Sequence, residues 1–323
     1  MAPLLEVRDL RKYFKTRSGT LHAVDGLTFS IDEGRTLGVV GESGCGKSTL
    51  GRVILHLLDN SGGQILFRGE DVTEVDDRKL VELRNEMQII FQDPFSSLNP
   101  RMTISQTIEE PMIIEGRLSK AQVAARVLEL MDTVGLARRL QNTYPHELDG
   151  GRRQRIGVAR ALAVNPRFIV CDEPVSALDV SIQAQILNLM LDLQEEMGLT
   201  YIFITHDLSV VKYISHDILV MYLGQMVEKS ASKELFDHPL HPYTKALLSA
   251  VPVADIHHKK QRIPLTGEIT SPINPRPGCR FAARCIYARE RCHTEGPELR
   301  EAWPSRPGHV VACHFAEEIN ANQ

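Results

Sequence analysis

The run Gly41-Glu42-Ser43-Gly44-Cys45-Gly46-Lys47-Ser48-Thr49 follows the pattern G-x-x-x-x-G-K-[ST]. Glycines at this spacing let successive backbone N–H groups turn inward around phosphate oxygens. A helix opening at the end of the run adds the attraction of its N-terminus for anions. Lys47 has the reach to touch β- and γ-phosphates, and Ser48 carries a hydroxyl suited to Mg²⁺. A second run, Phe168-Ile169-Val170-Cys171-Asp172-Glu173, puts two carboxylates at the end of an apolar stretch. Asp172 is suited to hold the Mg²⁺, directly or through water, and Glu173 to orient or deprotonate an attacking water. Taken together, the two runs describe hydrolysis of a nucleoside triphosphate. A glycine-rich turn and an acidic helix cap before Pro174 are the bland alternatives.

These residues need elements to position them. Residues 36–40 are a short apolar run ending in glycines, the pattern of a buried strand, and residues 47–58 read as a helix. Residues 167–171 and 200–205 are apolar runs of strand length, with a helix over 182–196 between them. Strand, helix, strand at this spacing is a βαβ unit, which predicts a parallel sheet. Ahead of the glycine loop, residues 1–35 read as short strands, including 4–7 and 27–31, with turn residues around Gly19 and at 32–34. Gln64-Ile65-Leu66-Phe67 is strand-like. From about 100 to 160 the pattern is helical, with Val123, Val127, Leu130 and Met131 at helical spacing. Seven of the 17 prolines fall between Pro264 and Pro307, so the expectation there is a loop-rich tail and no continuation of the sheet.

The 323 residues are enough for about two domains. With 43% hydrophobic and 24% charged residues, the chain is not collagen-like, mucin-like or wholly disordered. A net charge of -4 gives no argument for nucleic-acid binding. No apolar run approaches the ~18–20 residues that span a bilayer, and the N-terminus has no basic head followed by an apolar stretch. A soluble, cytoplasmic chain is expected, whose link to any membrane runs through a partner.

Leu148-Asp149-Gly150-Gly151-Arg152, between the two runs, resembles the L-S-G-G-Q signature of ABC ATPases. Other motifs of that family appear in order. Phe14 stands where the family has an aromatic that stacks on adenine. Gln92, in Ile90-Phe91-Gln92-Asp93-Pro94, resembles the Q-loop, Ser176-Ala177-Leu178-Asp179 the D-loop, and His206, in Ile204-Thr205-His206-Asp207, the switch histidine. The resemblance covers roughly residues 4–250. It implies an α/β fold: a P-loop ABC ATPase with an N-terminal antiparallel β subdomain, a mixed or parallel core sheet, a helical subdomain at about 100–160, and an extension over 251–323. It also implies ATP and Mg²⁺, the ion held by Ser48, Gln92 and Asp172, with Glu173, His206 and Gln92 around the γ-phosphate. The signature of one chain acts on the nucleotide of another. Here its serine is replaced by Asp149 and its glutamine by Arg152, and a carboxylate facing a triphosphate is unfavourable unless a cation compensates. This raises the alternative of a regulatory subunit with little turnover.

A finer resemblance comes from residues 95–101, 173–181 and 241–248, which look like the peptide and nickel importers among ABC systems. It implies a peripheral subunit on the cytoplasmic face of the cell membrane that powers import of short peptides. The implied partners are a second ATPase chain, two transmembrane permeases and an extracytoplasmic substrate-binding protein. Within such systems the chain looks most like the F-type ATPase. The alternatives are import of nickel or a metal chelate and, in another class, a soluble ABC ATPase of DNA repair.

Of six cysteines, Cys279, Cys285, Cys292 and Cys313 crowd the last 45 residues. Four thiolates can hold Zn²⁺ or a [4Fe–4S] cluster; free or disulfide-bonded thiols are the other readings. Cys285 and Cys292 would share a face if they lay on one helix. The tail, with Pro277-Gly278-Cys279-Arg280-Phe281 and Arg284-Cys285, resembles the C-terminal segment of peptide-importer ATPases, some of which carry a [4Fe–4S] cluster. His293 and His314 adjoin cysteines and are candidate ligands, with surface histidines the favoured reading.

Overall fold

The computed structural model describes residues 3–251, 262–265, 267, 270–303 and 305–321. Parts of the 251–323 extension therefore lie outside the described residues. The chain forms two compact units. One comprises Met1–Ile31, Thr36–Thr73 and Thr205–Gln323; the other comprises Asp32–Arg35 and Glu74–Ile204. The strands are β1 (Leu5–Thr16), β2 (Gly19–Ile31), β3 (Thr36–Val40), β4 (Gly62–Phe67) and β5 (Glu70–Asp71) in unit one. Unit two holds β6 (Met87–Ile90), β7 (Phe168–Asp172) and β8 (Thr200–Ile204). Unit one resumes with β9 (Asp217–Tyr222), β10 (Gln225–Ala231), β11 (Arg300–Glu301) and β12 (Val310–Val311).

In unit one an antiparallel sheet runs in the order β2-β1-β4-β5. The expected short strands of residues 1–35 are instead one long hairpin. Its register shifts near Val7, Leu10 and Lys12, and each bulge flips the inward face. The apolar alternation is thereby broken into what read as separate pieces. A second group of strands surrounds β3, all of whose residues are buried. β3 lies parallel to β9, β9 antiparallel to β10, β10 to β12, and β12 to β11. The tail therefore does extend sheet structure, against expectation. Its two pairing segments are two residues each, too short to print a period on a proline-rich sequence. Val40, Val211, Val220, Tyr222, Tyr243 and Phe281 lie in the apolar cluster beneath.

In unit two, β6, β7 and β8 are parallel, with β7 in the middle. The helix Val180–Met197 connects β7 to β8, the βαβ unit read from the sequence. Helices Ile104–Glu115 and Lys120–Thr133 each open on a capping box, Thr103 with Gln106 and Ser119 with Gln122. The second buries Val123, Val127, Leu130 and Met131, the stripe expected from their spacing. Helix Gly150–Leu162 carries the signature at its start. Among the described residues no helix is long and apolar enough to cross a membrane.

Candidate functional site: a nucleotide loop and its reacting residues

Unit one holds the phosphate loop, and the loop needs its glycines. Gly41 and Gly46 have φ of 152° and 105°. A Cβ on Gly41 would lie 2.2 Å from the Met221 carbonyl oxygen, and one on Gly46 would lie 1.9 Å from that of Ala23. Only glycine satisfies both dihedral and space. Ser43 and Gly44 are exposed at the tip, while Cys45 is buried and its thiol pushed up in pKa by that burial. The helix Lys47–Ile54 begins directly after Gly46, with Ser48 and Thr49 in its first turn. Lys47 is almost fully buried, and its ammonium donates to the carbonyls of Gly41 and Glu42 at 2.8 and 3.0 Å. Backbone donors and a lysine charge thus gather at one helix N-terminus, as an anion cradle requires.

Two other predicted residues belong to this unit. Phe14 is half-buried on β1, with the Lys12 ammonium 5.0 Å from its ring centroid. Thr205 N–H donates to the Val39 carbonyl at 3.2 Å. His206 therefore leaves from beside the end of β3, the strand that feeds the loop, and it is exposed.

Unit two holds the carboxylates and the signature. Asp172 is buried at the end of β7. Glu173 has φ of 50°, the left-handed region that a non-glycine residue rarely enters. Its N–H donates to the Ile204 carbonyl at 2.9 Å, which holds that conformation. Strain of this kind persists where the surroundings over-determine it, often at reacting sites. Gln92 Nε2 donates to Glu173 Oε2 at 2.8 Å, so two residues 81 apart in sequence meet. Ser176 Oγ donates to the Glu173 carbonyl at 3.1 Å, and Asp179 caps the helix Val180–Met197 by accepting from Ile182 N–H at 3.0 Å. Asp149 caps the signature helix in the same way, accepting from Arg152 N–H at 2.8 Å, while Arg152 Nε lies 3.5 Å from the other carboxylate oxygen. Gly150 and Gly151 abut the D-loop and the helix behind it: a Cβ on Gly151 would lie 2.6 Å from Ile182 Cγ2.

The four tail cysteines, back in unit one, line one cavity of about 20 Å³ together with Phe281 and His314. They are free thiols. Cys285 and Cys292 do not share a helix: Cys285 follows the turn Ala282–Arg284, and Cys292 lies in the helix Glu290–Thr294. Backbone pairing makes the approach, Cys279 N–H donating to the Cys292 carbonyl at 2.8 Å. Burial, with a further push from the neighbouring thiols, raises Cys279 and Cys313 to about 11. Among the described residues no group of three or more His, Cys, Asp or Glu side chains is placed to hold a metal ion. His293 is exposed, and His314 Nε2 lies 2.9 Å from the Glu295 carbonyl oxygen.

The sequence reading missed the roles of two residues at the loop. Arg284 donates through both terminal nitrogens to Glu42, and Tyr243 Oη accepts from Glu42 N–H. It also missed Arg153, whose guanidinium lies 3.4 Å from the Phe95 ring centroid and donates to the Pro145 carbonyl at 2.6 Å. The one available signal was an arginine beside a cysteine at both 279–280 and 284–285.

Residues 24–176 match the ABC transporter family, and residues 227–292 match the C-terminal region of oligopeptide/dipeptide transporters. The chain is 52% identical to the oligopeptide transport ATP-binding protein AppF of Bacillus subtilis, over 97% of each. It is 46% identical to the dipeptide transport ATP-binding protein DppF of Haemophilus influenzae, over 96% of each. Among solved structures it resembles CbiO1 of Clostridium perfringens, part of the ABC transporter complex CbiONQ. That match has a TM-score of 0.66 and 28% identity over 74% of this chain and 92% of that one. The dimeric cassette MJ0796 bound to ADP and Pi matches with a TM-score of 0.64 and 30% identity, over 71% of this chain and 98% of that one. A loop shaped for a triphosphate, a strained glutamate tied to Gln92 and likeness along nearly the whole chain agree: this protein belongs to the ATP-binding subunits of oligopeptide/dipeptide ABC transporters.

Proposed function

We propose that this chain binds ATP on residues 41–49 and hydrolyses it with Glu173 to drive import of short peptides. The observation that carries the reading is the cradle itself, in which Gly41 and Gly46 have no room for a side chain and the Lys47 ammonium is already folded onto the loop. Lys47 and the helix N-terminus would hold the β- and γ-phosphates. Ser48, Gln92 and Asp172 would hold Mg²⁺, which supplies charge neutralisation when bound. Glu173 would take the proton of the attacking water, with Gln92 orienting its carboxylate. His206 would donate to the γ-phosphate, and Phe14 would stack on adenine.

The signature at 149–152 would serve the nucleotide of a second ATPase chain, with Ser176 and Asp179 lining the same contact. Two permeases, fed by an extracytoplasmic binding protein, would receive the pair at the cytoplasmic face of the membrane. Within that pair the chain would take the F-type position. The match of residues 227–292 to a peptide-transporter segment favours transport over DNA repair. Glu173→Gln should keep ATP binding and abolish turnover at this chain's own loop in the assembled transporter. Hydrolysis there at the wild-type rate would overturn the assignment.

We propose further that Cys279, Cys285, Cys292 and Cys313 ligate a [4Fe–4S] cluster. Support comes from the donor set, four free thiols lining one cavity, and thiolate ligation would offset the cost of ionising them there. The cluster would supply a structural tie among three separate segments of the tail. Protein purified without oxygen should be brown, absorb near ~400 nm and contain iron. Stoichiometric zinc without iron would overturn it.

A further inference from the structure

The phosphate loop carries a negative charge of its own. Glu42 is its second residue, and a carboxylate there opposes an arriving triphosphate. The C-terminal extension answers that charge. Arg284 Nη1 and Nη2 donate to Glu42 Oε2 and Oε1 at 2.7 and 3.0 Å, a two-pronged pairing that fixes direction as well as charge. The Arg284 side chain is 8% exposed and that of Glu42 25%, so water screens the pair weakly. The backbone is held too: Glu42 N–H donates to Tyr243 Oη at 2.9 Å. Tyr243 packs against Tyr222 and Phe281, and Phe281 lies three residues before Arg284. Arg284 directly precedes Cys285 in the wall of the thiol cavity. Beside Cys279, Arg280 donates to Asp25, which also accepts from Tyr13, the neighbour of Phe14.

We propose that Arg284 is a positioning residue for the nucleotide: it cancels the Glu42 charge beside the phosphate loop, so that triphosphate affinity depends on the C-terminal extension. This rests on residues 41–49 being the nucleotide loop. A unit charge ~10 Å from a phosphate, at an effective dielectric near ~20, corresponds to roughly tenfold in affinity. Binding of a fluorescent ATP analogue with Mg²⁺ to the full-length chain tests it, with thermal melting as a control on folding. Arg284→Gln should weaken binding about tenfold, Arg284→Lys should recover most of the loss, and Arg284→Gln combined with Glu42→Gln should return it close to wild type. The Arg284→Gln effect should shrink as salt rises. Glu42→Gln alone leaves the Arg284 cation uncompensated and should bind more tightly than wild type; no gain there overturns the proposal even if Arg284→Gln does not fold. Unchanged affinity in Arg284→Gln, or failure of Glu42→Gln to rescue it, overturns the proposal. Lys47→Ala should abolish binding in every background; if it binds normally, the loop assignment itself fails and the inference goes with it.

Discussion

Asp149 separates two jobs that a signature serine does at once. Its carboxylate caps the helix Gly150–Leu162 through the Arg152 N–H, which any short polar acceptor can do. What it cannot do is donate to a phosphate. The Arg152 guanidinium stands 3.5 Å away, but both side chains are more than half exposed, and exposed pairs neutralise each other weakly. Asp149→Ser should therefore keep the cap, whereas Asp149→Ala should lose about 1 kcal/mol of stability. On the proposed pairing with a second ATPase chain, the functional consequence is read in a Glu173→Gln background, where only that chain's nucleotide would face an intact glutamate. One preorganised donor at developing phosphate charge is worth on the order of a hundredfold in rate, so Asp149→Ser should raise that residual turnover by at least about tenfold. A flat rate would mean that Arg152 already neutralises the carboxylate and both nucleotides turn over.

At the scale of elements, a single cap ties one helix to pH. His241 opens the helix Pro242–Ser249, its Nδ1 accepting from Tyr243 N–H at 3.1 Å. Burial lowers its pKa to about 4, against the opposing pull of Glu228. An unfolded chain protonates the same ring near 6.5. Between those values the unfolded state binds the extra proton, so stability is complete above about pH 6.5 and is lost as pH falls toward 4. The loss attributable to His241 should reach on the order of 3 kcal/mol. Asn at 241 keeps a capping acceptor that does not titrate, so His241→Asn should flatten the acid limb in denaturation measured from pH 4 to 7. An unchanged slope would assign that limb to other groups. Elements of this kind were only partly legible beforehand. The buried run of β3, the helix between β7 and β8 and the stripe at Val123, Val127, Leu130 and Met131 announced themselves because each repeats a local period. The hairpin of β1 and β2 hid behind its bulges, and β11 and β12 behind their brevity. The site divided in the same way. The candidates in the glycine loop and at the end of β7 came from residue type and spacing and the other motif candidates from the family resemblance, while the Arg284–Glu42 pair joins positions 242 apart, where no local pattern reaches.

For the molecule as a whole, the extension is part of the structure of unit one. β12 covers the edge of β10, and His309 Nε2 lies 2.8 Å from Glu228 Oε1 with both side chains essentially without solvent. Glu228 also accepts from the N–H groups of Leu240 and His241, and Asn320 Nδ2 donates to the Leu240 carbonyl at 3.1 Å. The apolar counterpart is Phe281, 2% exposed, whose ring meets Tyr222 and Tyr243 at centroid distances of 5.2 and 5.4 Å. Tyr222 belongs to β9 and Tyr243 to the helix capped by His241, so one ring from the tail packs on two elements of the ATPase. Removing it leaves a hole that the backbone bonds around Glu228 keep from closing, and a Phe→Ala change in such a core costs about 3–5 kcal/mol. Phe281→Ala should therefore lower the unfolding free energy of the full-length chain by that amount. It should also loosen the Tyr243 hydroxyl that receives the Glu42 N–H, so nucleotide binding at temperatures below melting should weaken as well. If instead the variant unfolds at the same denaturant concentration as wild type, the extension is an appendage, and the dependence of the phosphate loop on it loses its structural basis.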